Sequence, residues 1–133
     1  MISIDTNILV RYAVKDDPIQ TDAATDFLRN NSCQILKTVL LELVWVLSSS
    51  SGYNLSRKVV VERLHHILGL PTIEPENAVA FAQAIEWYDQ GLDFADALHL
   101  ASSSLPGGLA TMDRRLFAKA GEIGCDRQIT VVG

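Results

Sequence analysis

Cysteine is scarce in this chain: two residues, Cys33 and Cys125, among 133. They form neither a CxxC pair nor a regularly spaced set, which excludes a disulfide-stapled scaffold, and both are expected to be reduced. Long apolar runs are also missing. None approaches the ~20 residues needed to cross a bilayer, and the longest candidate, Val39 to Leu47, is interrupted by Glu42. The first residues carry no basic segment ahead of an apolar one, the pattern of a secretory signal, so the expected location is the cytoplasm, with no membrane partner. An excess of basic residues is absent as well. Eleven Lys and Arg face sixteen Asp and Glu, a formal net charge of −5. This argues against broad, charge-driven nucleic-acid binding, yet leaves room for a local basic rim around an acidic centre. With no repeat, linker or low-complexity tail, residues 1–133 read as one domain.

What is present is an ordinary globular composition, 48% hydrophobic and 20% charged, enough for a proper core. Ile2 to Ile4 read as a short buried strand and Asn7 to Val14 as the helix after it. Asp16-Asp17-Pro18 marks the start of a second helix, with an apolar stripe from Ile19 to Leu28. Cys33 to Leu36 suit a second strand, and Thr38 opens a strongly apolar helix through "TVLLELVWVL" that ends in "SSSSG". Leu55 to Leu68 follow as an amphipathic helix with Ser56 as its cap. A very short strand in "PTIEPEN" precedes a helix from Ala78 to Tyr88, which Gly91 ends. "DFADALHLASSS" is the next helix, broken by Pro106-Gly107-Gly108. Leu109 to Thr111 form a strand, Arg114 to Ala120 a helix, and Ile129 to Val132 a last strand. Short apolar strands alternating with helices specify an α/β fold with a short parallel sheet covered by helices.

The acids stand at telling places. Asp5 ends the first strand, Asp96 lies in the first turn of "FADALHLA", and Asp113 follows the strand "LATM" just ahead of a helix. Each alone reads more readily as a helix cap. Glu42 is different: it sits in mid-helix among Val39, Leu41, Leu43, Trp45 and Val46, with no polar face expected to carry it into water. An ionised carboxylate so placed is costly unless paired or bound to a metal, and the nearest cation in sequence is Lys37. In open parallel sheets, strand ends and helix starts converge on one edge. Four carboxylates gathered there need cations, and hard oxygen ligands with little His or Cys select Mg²⁺ or Mn²⁺. Such a site, with no nucleophilic Ser or Cys motif, suits metal-assisted attack of water on a phosphodiester.

"IDTNILVRY", "LLELVWVL", "FADALHLA" and "LATMDRRLF", in this order and spacing, run over essentially the whole chain. Through them the sequence resembles PIN-domain proteins, in particular the small ribonuclease toxins of VapC type from VapBC toxin–antitoxin pairs. The resemblance implies a PIN-like α/β/α sandwich. It places the catalytic, metal-binding acids on Asp5, Glu42, Asp96 and Asp113, with Asn7 and Thr111 as supporting polar residues. It further implies Mg²⁺- or Mn²⁺-dependent endonucleolytic cleavage of RNA with one or two ions, a homodimer, and a cognate VapB-type antitoxin. Asp93 lies just outside the motif, as a fifth acid or, the favoured reading, as the cap of its helix. Arg11, Lys37, Arg114, Arg115 and Lys119 flank the motifs and are candidate RNA contacts on a basic rim.

Other features carry less. His99, one turn after Asp96 and between two leucines, reads as a core residue or a neighbour of the acids rather than a ligand. His65 and His66 point to different sides of their helix and belong to the surface. Trp45, Phe81, Trp87 and Tyr88 suit core or dimer packing better than base stacking. A phosphatase of the haloacid dehalogenase type also begins with a strand ending in Asp, but it needs a second Asp where this chain has Asn7, and a late Lys after a strand. A catalytically inactive PIN-fold scaffold, binding RNA or protein, is the other alternative; its usual mark is the loss of an acid, and all four are present.

Overall fold

A computed structural model describes residues 1–133. Twelve elements alternate in the anticipated order: seven helices and five short strands, all parallel in their pairings. The chain divides into two compact units, Met1–Ala78 and Val79–Gly133.

The first unit holds β1 (Ile2–Ser3), α1 (Thr6–Val14), α2 (Pro18–Asn30), β2 (Cys33–Ile35), α3 (Lys37–Ser48), α4 (Arg57–Leu68) and β3 (Ile73–Pro75). Its three strands pair in the order β1-β2-β3, with Ile2 opposite Cys33 and Cys33 opposite Ile73. Local chemistry sets the helix starts. Asp17 accepts from the amides of Ile19 and Gln20 with Pro18 as the first helical residue, and Ser56 accepts from Val59. These bonds satisfy donors that a helix N-terminus leaves unpaired. Helix α3 has no cap of its own, because residue 36 is a leucine. Glu76, just beyond β3, accepts from the Lys37 amide at 2.7 Å instead. Leu9, Leu40, Leu43, Leu47 and Leu64 are fully buried, and so is Cys33, a free thiol whose pKa burial raises.

The second unit holds α5 (Ala78–Asp89, whose first residue closes the preceding unit), α6 (Phe94–Ser102), β4 (Leu109–Thr111), α7 (Arg114–Glu122) and β5 (Ile129–Val131). β4 and β5 pair with Leu109 opposite Ile129. Phe81 and Leu100 are fully buried, and Trp87 and Tyr88 nearly so, as expected for core aromatics. Arg127 reaches the C-terminal end of α6, donating to the carbonyls of Leu100, Ala101 and Ser103, where helical carbonyls lack amide partners. Cys125 is half-buried and free.

Two expectations need correction. The opening strand is not buried: Ile2 is 46% exposed, Ser3 is exposed, and only Ile4, just past the strand, is covered. β1 pairs on one side only, with β2, so it is the edge of its ladder. Of the two settings expected for Trp45, core or dimer packing, the core is excluded, the side chain being 62% exposed.

Candidate functional site

Asp5 leaves β1 as the N-cap of α1, so the cap reading holds for it; the strand it ends is the edge of its sheet and not the central one expected. Its Oδ1 accepts from the Thr6 amide at 2.7 Å. Thr6 is the first residue of α1 and is buried, 5% exposed. Its hydroxyl donates to Oε1 of Glu42 at 2.5 Å, 36 positions further along the chain. One residue thus joins two of the four acids named by the motifs, Asp5 through its amide and Glu42 through its side chain. Thr6 was not among the expected site residues; the only trace in sequence is its place inside Asp-Thr-Asn. Asn7, expected as a supporting group, is exposed on the first turn of α1.

Glu42 reaches this bond from the middle of α3, and it does so from water. The residue is exposed, in contrast to the apolar enclosure expected for it. Thr38, Glu42 and Trp45 lie four and three positions apart and form one exposed stripe, while Val39, Leu40, Leu43 and Leu47 bury the opposite side. Leu41 and Leu43 flank Glu42 in sequence but point elsewhere around the helix. Desolvation therefore gives no reason for a cation beside Glu42; that reason has to come from neighbouring charge.

The second unit brings its own acids together. Asp93 is the N-cap of α6, accepting from the Asp96 amide at 3.1 Å, as favoured for it. Asp113 is the N-cap of α7, accepting from the amides of Arg115 at 2.8 Å and Leu116 at 3.2 Å. The Thr111 hydroxyl accepts from the Asp113 amide at 3.0 Å, so Thr111 fixes the turn from β4 into that cap. Asp96, in the first turn of α6, has its carboxyl held above the usual range, first by partial burial and then by the charges of Asp93 and Asp113; His99 pulls the other way. His99 is exposed and acts as an electrostatic neighbour of Asp96, not as core.

The basic residues divide. Arg11 pairs with Asp16 at 3.3 Å, Lys119 pairs with Glu122 at 3.3 Å, and Arg114 donates to the carbonyl of Gly133. Lys37 contributes its amide to Glu76, and Arg115 contributes its amide to Asp113; neither side chain holds an ion pair. His65 and His66 are exposed as expected, although His66 Nε2 meets the Tyr12 hydroxyl at 2.7 Å with the two rings stacked.

None of Asp5, Glu42, Asp96 or Asp113 forms an ion pair with Lys or Arg; the molecule's three ion pairs use Asp16, Glu122 and Asp126. No three His, Cys, Asp or Glu side chains stand close enough together to enclose a metal ion. The acids appear as two smaller groupings, Asp5 with Glu42 in the first unit and Asp93, Asp96 and Asp113 in the second. Their donor chemistry, carboxylate oxygen with threonine hydroxyls and no thiolate, fits a hard divalent cation.

No curated protein matches the sequence. A family model does, that of the PIN domain, over residues 2–123. That match spans both units and includes all four motif acids, and on it the chain belongs to the PIN-domain family.

Proposed function

We propose that this protein is a divalent-metal-dependent endoribonuclease of the VapC toxin type. In this reading it cleaves RNA phosphodiester bonds by hydrolysis, so arresting translation and growth until a cognate VapB-type antitoxin binds it. PIN domains are generally metal-dependent nucleases and often belong to toxin–antitoxin systems; RNA as substrate, Mg²⁺ or Mn²⁺ as cofactor, a cytoplasmic homodimer and the antitoxin are the finer parts of the proposal. Residues 1–133 are taken in it as one domain. The observation that carries the reading is the lack of any Lys or Arg partner on Asp5, Glu42, Asp96 and Asp113.

The chain's own residues take distinct roles. Asp5 and Glu42 each present a carboxylate to solvent with one oxygen tied to Thr6. Asp96 and Asp113 supply the second pair; partial burial first, and then the charges of Asp93 and Asp113, hold the Asp96 carboxyl above its usual range, and a divalent cation would offset the repulsive part. In such a site the cation supplies positive charge for activating water and for stabilising the charge that develops at phosphorus. Thr111 holds Asp113 at the turn, and Arg115, whose amide bonds Asp113 and whose side chain holds no ion pair, is the basic residue assigned to meet phosphate.

Asp5→Asn and Asp96→Asn test the reading. Asn keeps the size of the side chain and caps helices well, so both variants should fold with wild-type circular dichroism. Both should lose Mn²⁺-dependent cleavage when RNA 5′ ends are sequenced after induced expression. Wild-type cleavage patterns in both variants would overturn the assignment. A small neighbouring reading frame encoding a DNA-binding protein is the expected source of the antitoxin, and its product should co-purify with this chain and silence cleavage.

A further inference from the structure

We infer that Thr6 is a positioning residue for the acid pair Asp5 and Glu42, an inference that rests on the metal-dependent ribonuclease reading. It is the buried polar side chain of the molecule, and both of its hydrogen-bond donors go to carboxylates: the amide to Asp5 Oδ1 and the hydroxyl to Glu42 Oε1.

The two bonds fix different things. The amide bond joins neighbours in sequence, from the first helical residue to the Asp5 cap, and any residue but proline at position 6 supplies it. The hydroxyl bond is specific to this side chain. Glu42 is exposed on α3, and a glutamate in water samples many rotamers, all of which must be given up when it holds a ligand. A hydroxyl anchored at the buried first turn of α1 removes most of that freedom in advance. Threonine's branched Cβ leaves two favoured χ1 settings in a helix, and the bond to Glu42 selects the one in which the hydroxyl faces α3. Each acid is held through a single oxygen, Oδ1 of Asp5 and Oε1 of Glu42. The second oxygen of each carboxylate accepts no hydrogen bond from the protein and remains open to an incoming cation or its water. Groups that orient ligands in this way commonly govern metal affinity without touching the metal.

The test uses the full chain with Mn²⁺ as probe, followed by calorimetric titration and by RNA cleavage. Thr6→Val keeps the shape and the Asp5 amide bond but removes the hydroxyl; Thr6→Ser keeps the hydroxyl. Thr6→Val should bind Mn²⁺ about tenfold or more weakly and lose cleavage in step, while Thr6→Ser stays close to wild type. In a Glu42→Gln background, adding Thr6→Val should cost little further Mn²⁺ affinity, because the bond it removes has already lost its charged acceptor. The inference is overturned if Thr6→Val binds Mn²⁺ as the wild type does, if its effect adds in full to that of Glu42→Gln, or if Thr6→Ser is as weak as Glu42→Gln. The last comparison decides the matter even where the valine variant does not fold. Wild-type protein showing no Mn²⁺-dependent cleavage defeats the ribonuclease reading together with this inference; normal wild-type cleavage and an unaffected Thr6→Val defeat the inference alone.

Discussion

Replacing Gly108 with alanine should cost far more than replacing its neighbour Gly107. Gly108 stands where the chain enters β4, at φ +71°, with its amide on the Leu105 carbonyl and the next amide on the Gln128 carbonyl. A Cβ built there lies 2.1 Å from the Gln128 carbonyl oxygen and 2.9 Å from its carbon. The left-handed backbone alone costs an alanine about 1–2 kcal/mol. Overlap with a backbone group that cannot rotate away adds roughly 1–3 kcal/mol, relieved only by pulling Gln128 off Leu109 and loosening the Leu109–Ile129 register. Gly124 isolates the first term, since it has φ +71° but nothing within 4 Å of its Cβ position. Gly107 has neither problem, and alanine there should be neutral or stabilise by up to about 1 kcal/mol through the unfolded chain. For a chain of this size each kcal/mol moves the melting temperature by roughly 3–6 °C. Calorimetric melts should therefore rank Gly107→Ala above Gly124→Ala and place Gly108→Ala lowest, about 10 °C or more below wild type. Because β4 leads into Thr111 and Asp113, Gly108→Ala should also depress cleavage. A Gly108→Ala protein melting no lower than Gly124→Ala would show that the close approach to Gln128 does not exist.

Three further outcomes follow from particular contacts. The Asp96 carboxyl titrates above its ordinary value of 3.8, so across that window the folded chain keeps a proton the unfolded chain has released, and stability falls as pH rises; Asp96→Asn should raise the melting temperature of metal-free protein at pH 7 and give no gain near pH 3, and an equal gain at both refutes the electrostatic origin. Asp17→Ala removes the acceptor for two amides of α2 and should cost about 1 kcal/mol in urea denaturation while leaving Mn²⁺ binding unchanged. Reversing charge at Arg114 and Arg115 together should weaken RNA binding and flatten its salt dependence; an unchanged slope in filter-binding titrations removes both from the interface.

The elements were legible wherever the residues that fix them are local. Asp17-Pro18 and Ser56 announce α2 and α4 in the sequence, and the structure uses them as caps. The sequence pattern starts α3 one residue late, because its cap is Glu76, 39 positions away. The surroundings of Glu42 differ from the sequence expectation for a related reason: the residues beside it in sequence are apolar, but a helix turns them away, and Thr38 and Trp45 share its exposed stripe. Thr6 shows the limit most clearly. Its amide bond to Asp5 joins neighbours in sequence, whereas its hydroxyl bond to Glu42 depends on how α1 and α3 pack, which no local pattern encodes. The acids are picked out in the sequence by their fixed places in four spaced motifs, a signal that needs no knowledge of packing.

The unequal settings of the two tryptophans give the molecule a pair of built-in optical reporters. Trp45, 62% exposed, belongs to the first unit, and Trp87, 4% exposed, belongs to the second. Iodide in the buffer should quench the red-shifted emission of the former and spare the blue emission of the latter. Fluorescence with and without quencher therefore follows each half of the chain separately, and a denaturant titration read both ways tells whether the halves melt as one body or in succession.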